Sequence, residues 1–322
     1  MTEPPPLPEG FLVGHWSDDR ARTGCTVLIP PSGTRGGVDV RGGGTGTREL
    51  ECLAPTGNAE GPTALLLTGG SAFGLAAADG VARWLEERGL GRPTPAGVVP
   101  LVPAAVVFDL AEGAPGVRPG TDAGYAACEA ARSGIPERGR VGAGSGVAVG
   151  KLLGRDRATR GGVGYASTAL AGGETVAAIA VANAFGDVIA ENGGLLGAPR
   201  DDRGELVRSS RLIEATPQLP SAGRPGENTT LACVCTDASV DKRSCSIVAR
   251  IASAGVARAV DPAFTPIDGD VVFCLASGPD RPPPPGLAAS WSLTVLGAAA
   301  ATVTAAAIRD AVRQPAEASY GR

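Results

Sequence analysis

The sequence predicts a mixed α/β protein whose strands and helices pack in layers. Three observations carry that expectation. Short apolar, β-favouring runs recur between Gly, Pro, Asn and Asp residues. Longer Ala-rich runs with helical spacing alternate with them. Of the 322 residues, 43% are hydrophobic, and most of the 48 glycines punctuate apolar runs, so these and the 27 prolines read as tight connections rather than disorder. A chain of this size can bury a sizeable core.

In chain order, the opening MTEPPPLPEG is acidic and proline-rich and lacks the basic start and apolar core of a signal peptide, so a cytoplasmic protein is expected. Residues 63–68, TALLLT, read as a buried strand. Gly69-Gly70-Ser71 then turns into an Ala-rich helix that runs to about Arg88 and stops at Gly89. Further strands are expected at 104–108, 162–169, 175–184, 229–236 and 270–276, and helices at 240–260 and 292–312. The longest apolar stretch, 293–308, is diluted by Gly297 and by Ala and Thr and is followed at once by Arg309-Asp310, so it reads as a buried helix rather than a membrane span. Residues 214–227, EATPQLPSAGRPGE, form a linker in which a cut would be tolerated.

Composition removes several chemistries. The only histidine is His15, so a His-rich zinc site is impossible and any Ser-His-Asp or Cys-His system depends on that residue, which reads as a packing or capping group. Seven cysteines, Cys25, Cys52, Cys128, Cys233, Cys235, Cys245 and Cys274, lie in apolar segments without CxxC spacing and read as reduced core thiols. A net charge of -4 with dispersed Arg and Lys offers nucleic acid no basic stripe. No cofactor or resident metal is expected.

Three polar features remain. The loop 142–151, GAGSGVAVGK, resembles a phosphate cradle only superficially: Leu152 stands where a Walker loop needs Ser or Thr, and Val147 breaks a GxGxxG pattern. What it offers is Lys151 at the end of a small-residue loop, either an amine held against another group or a surface lysine. Asp268 and Asp270, one residue apart at a strand entrance, point to one face, where they orient a nucleophile, bind a hard cation weakly or end a turn. In Gly226-Glu227-Asn228-Thr229-Thr230-Leu231, the linker runs straight into a β-favouring run. A threonine freed at a new chain terminus carries its own base, an α-amine of pKa about 8. A cut between Asn228 and Thr229 would therefore create an enzyme; the alternative is a turn feeding a strand.

Together the segments VGH, TGCTVLIP, VDVRGGGTGTRE, LTGGSAFGLAAADGV, VPAAVVFDL, GAGSGVAVGK, VANAFGDV, ENTTLACVCTDA, GVARAV and DGDVVFCLASG resemble, in order and over most of the chain, the P1 family of peptidases. That family holds DmpA, the β-aminopeptidases and the nylon-oligomer hydrolases. The resemblance implies a four-layer α/β/β/α sandwich of the DmpA and ornithine acetyltransferase type. It also implies self-cleavage into an α chain, 1–228, and a β chain, 229–322, that together form one folded domain, and a homotetramer of such αβ units. By matching position Thr229 is the nucleophile, with Thr230 a weaker second choice. Asn183 matches the amide that stabilises the oxyanion, Lys151 the lysine near the nucleophile, and Asp268 and Asp270 the pair that orients it.

The chain departs from the family where Ser253-Ala254 replaces a frequent His-Asp and Phe264-Thr265 a frequent His-Thr, which bears on substrate preference and subunit contacts. The expected activity is hydrolysis of small peptides or related amides through an acyl-enzyme on Thr229. Alternatives are an amide-forming transacylase on the same site and a non-processing binding or structural relative.

Overall fold

In the computed structural model, which describes residues 4–215, 227–279 and 286–314, the run at 229–236 is the middle strand of a five-stranded sheet and is buried along its whole length. That sheet has the order β7 (Val163–Ala169), β8 (Thr175–Asn183), β9 (Thr229–Thr236), β10 (Val271–Ala276) and β3 (Arg35–Val40). A second five-stranded sheet has the order β1 (Leu12–Asp18), β2 (Thr23–Ile29), β5 (Leu65–Thr68), β6 (Ala104–Val106) and β4 (Thr47–Arg48). Each sheet contains one parallel pair, β5 with β6 and β9 with β10, and a helix lies between the members of each pair in the chain. These are α1 (Ala77–Glu86) and α4 (Lys242–Ala259). The remaining helices are α2 (Thr121–Glu129), α3 (Ser209–Ala215) and α5 (Leu287–Arg313).

The period of two along each strand sorts side chains into three cores. Leu231, Cys233 and Cys235 of β9 join Val271, Phe273 and Leu275 of β10 and Ile179 and Val181 of β8 against Leu28, Leu65, Leu67 and Ala105 of the other sheet. Their neighbours Ala232, Val234, Val272 and Cys274 face α4 and α5. On the far side Val27, Leu66 and Ala104 meet Ala77, Val81 and Leu85 of α1 and Ala123 and Ala127 of α2. Helices, sheet, sheet and helices therefore stack as the four layers expected.

Small residues set the spacing on the α5 side. A Cβ on Gly164 of β7 would stand 2.0 Å from the Ala307 carbonyl oxygen, so glycine lets that helix lie directly on the sheet. α4 begins where Asp241 accepts the Ser244 N–H at 2.7 Å, satisfying an N-terminal amide. α5 is long and apolar enough to cross a membrane, but Leu296, Ala300, Val303, Ala307 and Ile308 pack it against α4, β7 and β8. The expected elements stand within a few residues of their positions. Strands β1, β2 and β3 and helix α2 add to them. Residues 216–226 of the expected linker lie outside the described residues.

Candidate active site

Strand pairing gathers the site at one end of the middle strand. Antiparallel register sets Asn183, the last residue of β8, opposite Thr229 and Ala182 opposite Thr230. Parallel pairing of β9 with β10 brings the 268–270 turn beside residues 228–230, where Asn228 and Asp268 form an isolated bridge. The loop before Lys151 reverses through Gly150 at φ +67° and is tied by the Lys151 N–H to the Phe185 carbonyl at 3.0 Å, which sends the lysine side chain inward.

Lys151 is only 2% exposed. Its Nζ donates to the Asn183 carbonyl at 2.7 Å, to Asn183 Oδ1 at 2.9 Å and to the Glu227 carbonyl at 3.0 Å. Burial, and secondarily the Arg155 charge, lower its pKa from 10.5 to about 7. Asn183 is held from both ends: Oδ1 also accepts the Ala148 N–H at 3.3 Å, and Nδ2 donates to the Glu227 carbonyl at 3.3 Å and to the Phe108 carbonyl at 3.5 Å.

The Thr229 hydroxyl donates to the Asn228 carbonyl oxygen at 2.5 Å, and the Gly269 N–H donates to the same oxygen at 2.8 Å. A Cβ at 269 would stand 2.8 Å from the Gly44 carbonyl oxygen and 3.0 Å from Thr229 Oγ1, so this close approach requires glycine. All four carboxylate oxygens of the aspartate pair accept protein donors. Asp268 takes the Phe185 N–H at 3.0 Å and the Thr265 hydroxyl; Asp270 takes the Thr230 N–H at 2.6 Å and the Phe264 N–H at 3.0 Å. Burial, with Asp268 beside it, raises Asp270 to about 7, and burial also raises Asp268.

The five residues singled out from the sequence thus come together, and Lys151 is not a surface residue. Two placements differ from expectation in this uncut chain. Asn183 Nδ2 meets the carbonyl of Glu227, while the Asn228 carbonyl is served by Gly269, which sequence reasoning had passed over although it stands between the two aspartates. The aspartates hold the backbone at Thr230, Phe264 and Phe185 rather than the Thr229 hydroxyl. Position 264 contributes its backbone N–H, a contact that does not depend on its side chain. The Thr230 hydroxyl is buried, makes no hydrogen bond of good geometry among the described residues, and lies near enough to Asp270 to favour its carboxylate form slightly.

Other candidates lie elsewhere. His15, on β1, meets Thr26 Oγ1 at 2.9 Å, and burial lowers its pKa to about 4, so it packs as a neutral ring. All seven cysteines are free and all but Cys52 are buried. Among the described residues no group of three His, Cys, Asp or Glu side chains could hold a metal ion.

A hydroxyl on a peptide carbonyl, an N–H donor on that same oxygen and a buried amine poised near neutrality are the parts of a nucleophilic acyl transfer. Comparison with known proteins finds peptidases and amide hydrolases among this chain's relatives. The profile of Peptidase family S58 matches residues 9–322. An uncharacterized aminopeptidase of Mycobacterium tuberculosis (strain ATCC 25618 / H37Rv) is 43% identical over 319 residues, covering 93% of this chain and 90% of its own length. A 6-aminohexanoate-oligomer endohydrolase of Kocuria sp. (strain KY2) is 30% identical over 314 residues, covering 94% of this chain and 84% of its own. The structure of a Burkholderia sp. beta-aminopeptidase superposes with a TM-score of 0.68 at 24% identity, covering 95% of this chain and 84% of that one. The L-aminopeptidase D-Ala-esterase/amidase of Ochrobactrum anthropi, described as a variant of the Ntn hydrolase fold, gives 0.67 at 17% identity over 94% and 84%. The fold is shared with both.

Proposed function

The chain belongs to peptidase family S58 and is an amide or peptide hydrolase, and from that premise we propose that it activates itself by cutting its own chain between Asn228 and Thr229. The observation that carries this reading is the Thr229 hydroxyl on the Asn228 carbonyl, with the Gly269 N–H on the same oxygen.

In the proposed self-cleavage, Thr229 Oγ attacks the Asn228 carbonyl carbon and gives its proton to the neutral Lys151 amine. The charge that develops on the carbonyl oxygen is met by the Gly269 N–H. The C–N bond then breaks, the Thr229 nitrogen takes a proton, and an Asn228 ester forms on Oγ. Water hydrolyses that ester, leaving an α chain, 1–228, and a β chain, 229–322, which stay together as one folded unit. In turnover the same hydroxyl attacks a substrate carbonyl, the new α-amine takes the proton and returns it to the leaving amine, and Asn183 with a backbone N–H receives the oxyanion. Water releases the acyl group. Asp268 and Asp270 keep the strand ends around Thr229 in register, and the steps need no cofactor. The substrate class is small peptides or related amides, the expected compartment is the cytoplasm, and the assembly is a tetramer of αβ units.

A denaturing gel of the purified protein tests this reading. Two fragments are expected, with the smaller beginning Thr-Thr-Leu on N-terminal sequencing. A full-length band that hydrolyses amides would overturn it.

A further inference from the structure

The ion pair that Arg155 makes upstream of the proposed cut points to a substrate preference. Its Nη1 reaches Glu112 Oε1 at 2.9 Å, and its Nη2 lies 3.5 Å from Glu227 Oε2. The guanidinium carbon also stands 5.3 Å from the centre of the Phe108 ring. The three charged side chains are about one-fifth exposed (19%, 17% and 21%), and Nη2 itself is buried and makes no hydrogen bond among the described residues.

This cluster is continuous with the site. The Glu227 carbonyl is the acceptor shared by Lys151 Nζ and Asn183 Nδ2, and the Phe108 carbonyl also takes Asn183 Nδ2. Glu227 therefore fills, with backbone and side chain, the space on the acyl side of Thr229. The inference rests on the proposed self-cleavage. When the cut frees this segment, a substrate carbonyl attacked by the same hydroxyl brings its acyl chain in from the same side, because the direction of attack fixes which way the acyl chain runs. Glu112 keeps Nη1, and Nη2 then faces the position that the Glu227 carboxylate had filled. A guanidinium presents separate N–H groups in a rigid fork, so one carboxylate does not exhaust it.

We propose that Arg155 selects amide substrates whose acyl half carries a carboxylate, which takes the place that the Glu227 carboxylate holds in the uncut chain. A cationic group at that position meets the guanidinium and is disfavoured.

The test uses processed protein and two peptides that copy residues 226–228, Gly-Glu-Asn and its uncharged counterpart Gly-Gln-Asn. Binding is measured by calorimetry, and hydrolysis is followed with the p-nitroanilide of each. The glutamate peptide is expected to bind about tenfold more tightly and its anilide to show a similarly higher kcat/KM, the size expected of one charge-assisted contact. Arg155→Met should erase the difference and Arg155→Lys should keep part of it. Equal binding and equal hydrolysis of the two peptides by processed, active wild-type protein would overturn the preference and leave the proposed hydrolase standing. A protein that stays uncut on the gel would overturn both, since the position would never empty.

Discussion

The hydroxyl of Thr229 and the carbonyl of Asn228 are already in contact, at 2.5 Å, in the uncut chain. Any residue's side chain lies close to the preceding carbonyl, so this contact alone does not make a nucleophile. What distinguishes Thr229 is that the acceptor also takes a backbone N–H, that a buried amine with a pKa near 7 binds the next carbonyl upstream, and that Lys151, Asn228 and Thr229 are all buried. Exclusion of water strengthens each of these polar contacts.

The first prediction concerns Lys151. Its pKa is lowered from 10.5 to about 7, so the amine is protonated below that pH and neutral above it. If the neutral amine takes the Thr229 proton, self-cleavage during cell-free synthesis should quicken as pH rises through about 7 and then level off. Lys151→Met should cut slowly, with the rise gone. An unchanged pH profile in that variant would assign the proton to another base.

The second prediction separates two oxyanion sites. Asn183 Nδ2 is occupied by the Glu227 carbonyl while Gly269 serves that of Asn228, so self-cleavage relies on Gly269 and turnover adds Asn183 once the Glu227 carbonyl has left it. Asn183→Ala should therefore lower turnover by about a hundredfold to a thousandfold, the usual cost of one oxyanion donor, while leaving self-cleavage largely intact. Gel densitometry beside an amide hydrolysis assay reads both. Equal losses in the two would mean that one donor serves both reactions.

Much of this arrangement was legible in the sequence, and what was not has a common cause. β9, β10 and α5 stand out because their apolar residues or small-residue runs carry the signal locally. β3, RGGVDV, does not: a Cβ on Gly37 would lie 2.3 Å from the Ser246 backbone nitrogen and one on Gly36 2.6 Å from Leu53 Cδ2, so its glycines answer to α4 on one face and to Leu53 on the other rather than to strand propensity. In the site, motif matching brought out Thr229, Lys151, Asn183, Asp268 and Asp270. The roles of the Glu227 carbonyl and the Gly269 N–H were hidden because every residue carries such groups, and pairing between distant strands decides which of them face a nucleophile.

The third prediction follows from Asp270, whose pKa rises from 3.8 to about 7 because burial and Asp268 disfavour its charge. The folded state then holds a proton that the unfolded chain releases. This contribution to stability is complete below about 3.8 and is lost as pH rises to about 7. In a Thr229→Ala background, which keeps the chain whole, Asp270→Asn should flatten the fall of Tm across that range. Melting curves at stepped pH decide it, and an unaltered slope would mean that Asp270 is ionised throughout.

The fourth prediction concerns assembly. Leu287 and Trp291, on the first turns of α5, are 88% and 68% exposed, and Val295 further along that helix and Ile247 of α4 are each 38% exposed. An apolar group of this kind is usually covered by a partner. For the proposed tetramer, light scattering should give about four times the 32.0 kDa chain mass, and Trp291→Glu should shift the protein to smaller species. A mass of one chain for the wild type would refute the tetramer.

The last prediction tests Thr229 against its neighbour Thr230. Both are buried at the start of β9, but they are held differently: the Thr229 hydroxyl sits on the Asn228 carbonyl, whereas the Thr230 hydroxyl makes no hydrogen bond of good geometry among the described residues and lies near the Asp270 carboxyl. Thr230 instead offers its backbone N–H to Asp270, which fixes where the strand begins. Thr229→Ala should therefore stay full-length and inactive while remaining folded, because it loses the hydroxyl for both reactions. Thr229→Ser keeps that hydroxyl and should still cut. Thr230→Ala removes a hydroxyl with only a weak contact to Asp270, leaves the N–H to Asp270 in place and should process and hydrolyse amides nearly as well as wild type. If Thr230→Ala is dead while Thr229→Ala is fully active, the nucleophile is Thr230; if both stay active, the chemistry does not run through a chain-terminal threonine at all.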